Sequence, residues 1–220
     1  MSDIHLTHHI PRLSRAAGIL DVLQMASGVF LILFLWGHML LVGTVIVSPV
    51  IMTTIAESLE HFYLPQIGAP FVVAGFLFHA LLAARKMPFR THEQRVFRDH
   101  SWMMRHVDTT MWLVQVATAM VILALACIHM WTVLTDFPIT AVKSAARVQD
   151  PFWLAFYIAL LPCAELHLGI GFYRIGVKWG VVGRRGRHWF KVLEFLMLLF
   201  FVTIGATALY SFLMLPVVGG

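Results

Sequence analysis

The chain has 220 residues, of which 60% are hydrophobic and only 12% charged, with a formal net charge of +5. A mean hydropathy of +0.82 excludes a soluble domain of this size, in which about 25% of residues are charged. What remains is an integral membrane protein, a single all-α domain over 1–220 behind a short tail, 1–18.

The tail holds His5, His8, His9, Arg12 and Arg15 but no compact apolar core with a small-residue cleavage site, so no cleaved signal peptide is expected. Five apolar stretches follow, each able to supply the roughly 20 residues that a helix needs to cross a bilayer. They run over about 19–49, 66–87, 109–135, 151–176 and 188–216, and the gaps between them are short. Ser48 and Pro49 mark the end of the first. Cys127 and Cys163 fall inside apolar runs and read as small buried hydrophobes, not a disulfide. No CxxCH occurs, which excludes covalent c-type haem attachment.

The cations orient the bundle. Arg12 and Arg15 precede the first span, six Lys and Arg lie between 85 and 105, and six between 174 and 191, which puts 14 of the 16 on one side. Only Lys143 and Arg147 lie opposite. The positive-inside rule then gives a cytoplasmic N-terminus and an outer C-terminus, LPVVGG. The basic charge is a topology signal and marks an inner seat for a soluble partner; it does not call for nucleic acid.

Eight of the twelve histidines sit in tails, gaps or span ends. The other four, His38, His79, His129 and His167, lie within four different spans. Polar groups at membrane depth face the bundle interior and mark function, and cofactor sites in bundles are built from side chains on facing helices. Depth sets how they pair. His79 is six residues before Arg85, about 9 Å along a helix, and His167 is seven before Arg174, about 10 Å. His38 and His129 lie 23 and 24 residues beyond Arg15 and Arg105, about 35 Å from their inner charges. The expectation is an inner pair, His79 with His167, and an outer pair, His38 with His129. Two histidines without a shared carboxylate or thiolate make a poor zinc or iron cage and suit the two axial positions of a planar haem. Gly37, Gly75, Gly169 and Gly171 beside the ligands fit either close approach of a macrocycle or close packing of helices. Respiratory bc-type cytochromes place two ligands on each of two helices. One ligand on each of four helices sets this chain apart from them.

The stretches GHMLLVGTVI (37–46), HALLAARKMP (79–88), MMRHVDTTMWLVQ (103–115) and AELHLGIGFYRIGVKWG (164–180) together carry a family likeness. Over nearly its whole length the chain resembles the five-helix, two-haem cytochrome b subunit of quinol:fumarate reductases and related succinate:quinone reductases. The resemblance implies a multi-pass subunit of the cytoplasmic (inner) membrane, with two haem b. It implies an iron–sulfur subunit and an FAD-containing flavoprotein on the cytoplasmic face, with room for a dimer of such heterotrimers, and menaquinol as substrate. It implies His38, His79, His129 and His167 as ligands of haem iron. Gln24, His106, Trp112 and Lys178 are then expected around the inner haem and its propionates, and Arg147 near the outer one. Lys178 has an independent reason, since a cation suits two carboxylates at the inner interface. Glu165 lies 200° around its helix from His167, off the ligand face. The resemblance makes it a proton relay; the alternative is a neutral acid bonded to a neighbouring helix. Counted without gaps from His38, Glu60 falls at the family's acid for menaquinol oxidation, with Glu57 a possible substitute.

Quinol oxidation outside and electron delivery inside would make the chain part of a fumarate-reducing enzyme, although it has no flavin fingerprint and no iron–sulfur cysteine set of its own. The same subunit could serve a succinate:menaquinone reductase running in reverse. A rival of another class is a haem-free transporter whose histidines and Glu165 relay protons.

Overall fold

The computed structural model describes residues 15–87, 90–104 and 107–217, apart from the side chains of Trp102 and Met104. His106 and most of the N-terminal tail lie outside them. All regular structure among the described residues is helical. Five long helices cross the membrane: Arg15–Gly43 (α1), Leu64–Ala84 (α3), Val107–Leu134 (α5), Pro151–Lys178 (α7) and Arg187–Met214 (α8). They match the five expected stretches to within a few residues at each end. Their outer surfaces carry exposed large hydrophobics such as Phe71, Leu81, Trp131 and Phe195, as a lipid-facing surface requires. Cys163 is half-buried, but Cys127, expected to be buried, is exposed. In lipid an apolar run need not point inward to be satisfied.

Three helices in the gaps were not anticipated: Pro49–His61 (α2), Thr91–Met104 (α4) and Ala141–Gln149 (α6). Their local chemistry is plain in hindsight. Ser48 accepts from the Val50 amide at 3.2 Å, with Pro49 at the first helical position of α2. Thr140 accepts from the Lys143 amide at 3.2 Å to start α6. Asp150 accepts from the Phe152 and Trp153 amides, with Pro151 opening α7. These are N-caps with proline where its missing N–H costs nothing.

In the bundle α7 packs on α5 and α8, while α1 packs on α3 and α8. At Gly205 of α8 an added Cβ would meet Leu161 of α7 at 2.5 Å and Met39 of α1 at 2.9 Å, so three helices close on one residue with no side chain. One end of the bundle carries Arg85, Lys86, Lys178 and the 184–191 cations. The other is covered by α2 and α6, which share an apolar cluster of Val45, Met52, Ala141, Ala145, Val148, Ala208 and Phe212. Gln149 of α6 donates to the Phe212 and Leu215 carbonyls at 2.9 and 2.8 Å, satisfying the end of α8. The first end is called basic here, the second capped.

Candidate cofactor site

A cavity of about 1790 Å³ runs between the spans. It exceeds the about 300–1,000 Å³ of a single drug-sized ligand pocket. His38, His79, His129 and His167, on α1, α3, α5 and α7, all line it. The His38 and His129 rings lie 6.0 Å apart, centre to centre, close enough for one metal atom to sit between a nitrogen of each. His79 and His167 line the same cavity from α3 and α7.

In three of the four rings the second nitrogen has a partner. His167 Nδ1 lies 3.0 Å from the Gln115 carbonyl, which can only accept, so Nδ1 carries the proton there. His79 Nδ1 lies 3.0 Å from Ser27 Oγ, and His129 Nδ1 lies 3.4 Å from the Tyr157 hydroxyl. His38 stacks on Phe34 at 5.8 Å. Rings anchored through Nδ1 leave Nε2 as the donor nitrogen, the arrangement of metal-bound histidines. Among the described residues no three of His, Cys, Asp or Glu converge as a metal cage. Histidines on four helices, with the His38 and His129 rings facing each other, fit axial ligation of a macrocycle better than a metal cage.

The basic end of the cavity is lined by Gln24, Trp112, Lys178 and Asp21. Gln24 Oε1 is buried without a hydrogen-bond partner, an orphan that a polar group in the cavity would satisfy. Trp112 packs on Phe97 of α4 at 4.8 Å. Asp21, which the sequence reading passed over, takes three cations: Arg85 at 2.7 Å, Lys86 at 2.6 Å and Lys178 at 2.7 Å. Its position three residues before Gln24, inside an otherwise uncharged span, was a usable signal.

At the capped end Arg147 lines the cavity. Its side chain is only 15% exposed and lies 2.6 Å from Asp136, which also takes Lys143 at 3.0 Å. Glu60 does not line the cavity; its Oε1 accepts from the Ile139 amide at 2.7 Å and fastens α2 to the segment before α6. Glu57 is exposed.

Glu165 is buried to 1% exposure, and its Oε1 has no hydrogen-bond partner. It touches the main cavity and also a small one shared with Trp36 and Glu194. Glu194, a second buried acid missed in the sequence, lies 2.7 Å from Lys191 one turn earlier on α8. Of the four glycines beside the histidines, three meet other helices: Gly75 faces Phe30, Gly169 faces Glu194, and Gly171 faces Gln115. Only Gly37 fronts open space.

Fold and site define a class: a multi-pass membrane bundle in which histidines from four spans line one interior cavity. The family model described as succinate dehydrogenase/fumarate reductase transmembrane subunit matches residues 91–205. The chain is 36% identical over 196 residues to a fumarate reductase cytochrome b subunit of Helicobacter pylori, covering 84% of this chain and 76% of that one. It is 34% identical over 205 residues to the subunit of the same name from Wolinella succinogenes, covering 87% and 80%. The chain belongs to the family of succinate dehydrogenase/fumarate reductase transmembrane subunits.

Proposed function

We propose that the chain is the cytochrome b subunit of a quinol:fumarate reductase. On this reading it oxidises a menaquinol near the capped end and delivers electrons at the basic end to an iron–sulfur subunit, which a flavoprotein follows. The reading rests above all on the four cavity-lining histidines, three of them anchored through Nδ1. The names of the two relatives support the direction toward fumarate. The positive-inside rule supports a cytoplasmic basic end.

Two b-type haems held by His79 with His167 and by His38 with His129 would supply one-electron transfer across the bundle. The chain's own residues do the rest. Gln24, Trp112 and Lys178, which line the basic end of the cavity, would surround the inner group. Lys178 offers a cation to its carboxylates in place of Asp21. Arg147 does the same at the outer group in place of Asp136. Such charge-assisted bonds orient a macrocycle as well as bind it. The apolar, lipid-facing surface of the bundle would keep bulk water from the electron path.

Quinol oxidation releases two protons. Glu60 is our candidate acceptor, because it stands at the capped end with one carboxylate oxygen on the Ile139 amide and the other left for a proton. Glu165, buried between two cavities, is our candidate for carrying a proton through the membrane.

The test is spectroscopic. Membranes containing the complex should give a reduced-minus-oxidised b-type band, and the purified complex about two acid-acetone-extractable haems per chain. One haem per chain overturns the two-pair reading, and none leaves a proton-relay membrane protein in its place.

A further inference from the structure

Helices α1 and α3 meet through two reciprocal contacts of a ring against a glycine. An added Cβ at Gly28 of α1 would lie 3.2 Å from Cε1 of His79 on α3. One at Gly75 of α3 would lie 2.8 Å from Cε1 of Phe30 on α1. Each helix lends a ring to the other's bare backbone, so the ring of His79 is seated by the same interlock that sets the distance between the helices.

The residue beside Gly28 addresses the nitrogen of that ring. Ser27 is buried, and its Oγ lies 3.0 Å from His79 Nδ1. The same hydroxyl donates to the Gln24 carbonyl at 3.1 Å. A hydroxyl has one proton. With that proton on a carbonyl, its oxygen faces His79 as an acceptor, and Nδ1 must carry the hydrogen. That selects one tautomer, with Nε2 as the lone-pair nitrogen.

We infer that Ser27 and Gly28 form a seat for His79. Gly28 gives the ring its room, and Ser27 is a positioning residue that fixes the tautomer and raises the basicity of the inner ligand. This rests on the reading of His79 as a haem ligand. A hydrogen bond donated from Nδ1 moves electron density toward Nε2 and makes it a stronger donor. A stronger axial donor favours ferric over ferrous iron, so the seat holds the inner potential down. Across the pair, His167 donates to a main-chain carbonyl, Gln115, which no side-chain substitution deletes. The Ser27 bond is the one of the two that mutation can remove.

The experiment is a redox titration of the b bands, with electron paramagnetic resonance of the oxidised haems, on the whole complex carrying Ser27→Ala, Ser27→Thr or Gly28→Ala. Alanine is a good helix former, so Ser27→Ala should fold and retain both haems. Its inner haem should show a raised midpoint potential and shifted g values, with the outer haem as in wild type. Ser27→Thr, which keeps the hydroxyl, should return both readings toward wild type. Loss of the inner haem alone in Ser27→Ala, with retention in Ser27→Thr, supports the same assignment. Gly28→Ala should disturb the same haem through the ring while Ser27 stays in place. Wild-type potentials and g values in Ser27→Ala overturn the inference, as does a shift confined to the haem lost on replacing His38. A wild-type complex without a bis-histidine inner haem instead overturns the functional reading on which the inference stands.

Discussion

The two ends of the bundle solve one problem in different ways. At the basic end a single carboxylate, Asp21, gathers cations from the ends of two other helices, from residues 64 and 157 positions away in the case of Arg85 and Lys178. The end stays open, polar and charged. At the capped end the main acid, Asp136, takes near neighbours, Lys143 and Arg147, 7 and 11 positions on. Closure there comes from two short helices, an apolar cluster, and side chains that accept or donate to backbone: Glu60 to Ile139, Thr53 to Ala141, and Gln149 to the end of α8. A charged, open end suits docking of a soluble protein. A lidded end with few charges suits an apolar substrate arriving from the lipid.

That contrast can be broken most decisively at the histidines. Replacing His79 or His167 with leucine should remove or disturb the inner haem first, and replacing His38 or His129 the outer one. Difference spectra of the four variants measure this. Loss of the same haem on changing His38 and His79 would refute the pairing. The next effect belongs to the capped end. Gln at 60 keeps an oxygen for the Ile139 amide but loses the proton chemistry, so Glu60→Gln should lower quinol-dependent fumarate reduction by about 10²-fold or more with both haem spectra intact. Glu60→Ala also strips the amide of its acceptor, at a further cost of about 1–3 kcal/mol in stability. Exposed Glu57 is the control. If Glu57→Gln alone is dead, the acid is that residue; if both Gln variants are active, the quinol is oxidised elsewhere.

Glu165 sharpens the middle of the comparison, because it belongs to neither end. Glu165→Gln should retain both haems, slow quinol-linked turnover, and spare fumarate reduction from an artificial donor that bypasses this chain. Full quinol-linked activity would leave Glu165 a packing residue between α1, α7 and α8.

The spans were legible because hydropathy over 20 residues is a strong signal, and depth was legible because cations mark one face and a helix rises regularly. Counting alone gives the expectation that the four histidines lie at two levels, and that they share one cavity from four helices is what the structure adds. The short helices were not legible. α4 and α6 are polar enough to read as loops, and α2 sits in a gap already explained by turn residues. Nor could counting show that Glu60 spends an oxygen on Ile139, 79 residues away, or that Gly75, Gly169 and Gly171 meet other helices. Such contacts depend on which helix lies next to which, and no periodicity within one helix carries that.

The smallest predicted effect compares the two acids directly. Asp21 links α1 to the ends of α3 and α7, while Asp136 ties only the segment that leads into α6. Removing the first charge should therefore loosen the bundle, and removing the second should loosen a local strap. Both side chains are partly exposed, 28% and 43%, so solvent screening keeps each ion pair to about 1 kcal/mol or less. For a domain of this size 1 kcal/mol moves the melting temperature by about 2–4 °C. Asp21→Asn should approach that figure and Asp136→Asn fall below it, measured by loss of haem absorbance on heating the detergent-solubilised complex. The comparison also reads on the cofactors. If haem carboxylates take over Lys178 and Arg147 in the loaded protein, both acids are spectators there, and both variants should melt with wild type. A large shift for Asp21→Asn in the loaded complex instead means that Arg85 and Lys86 still need their carboxylate, and that the basic end is held by protein charge and not by its cofactor.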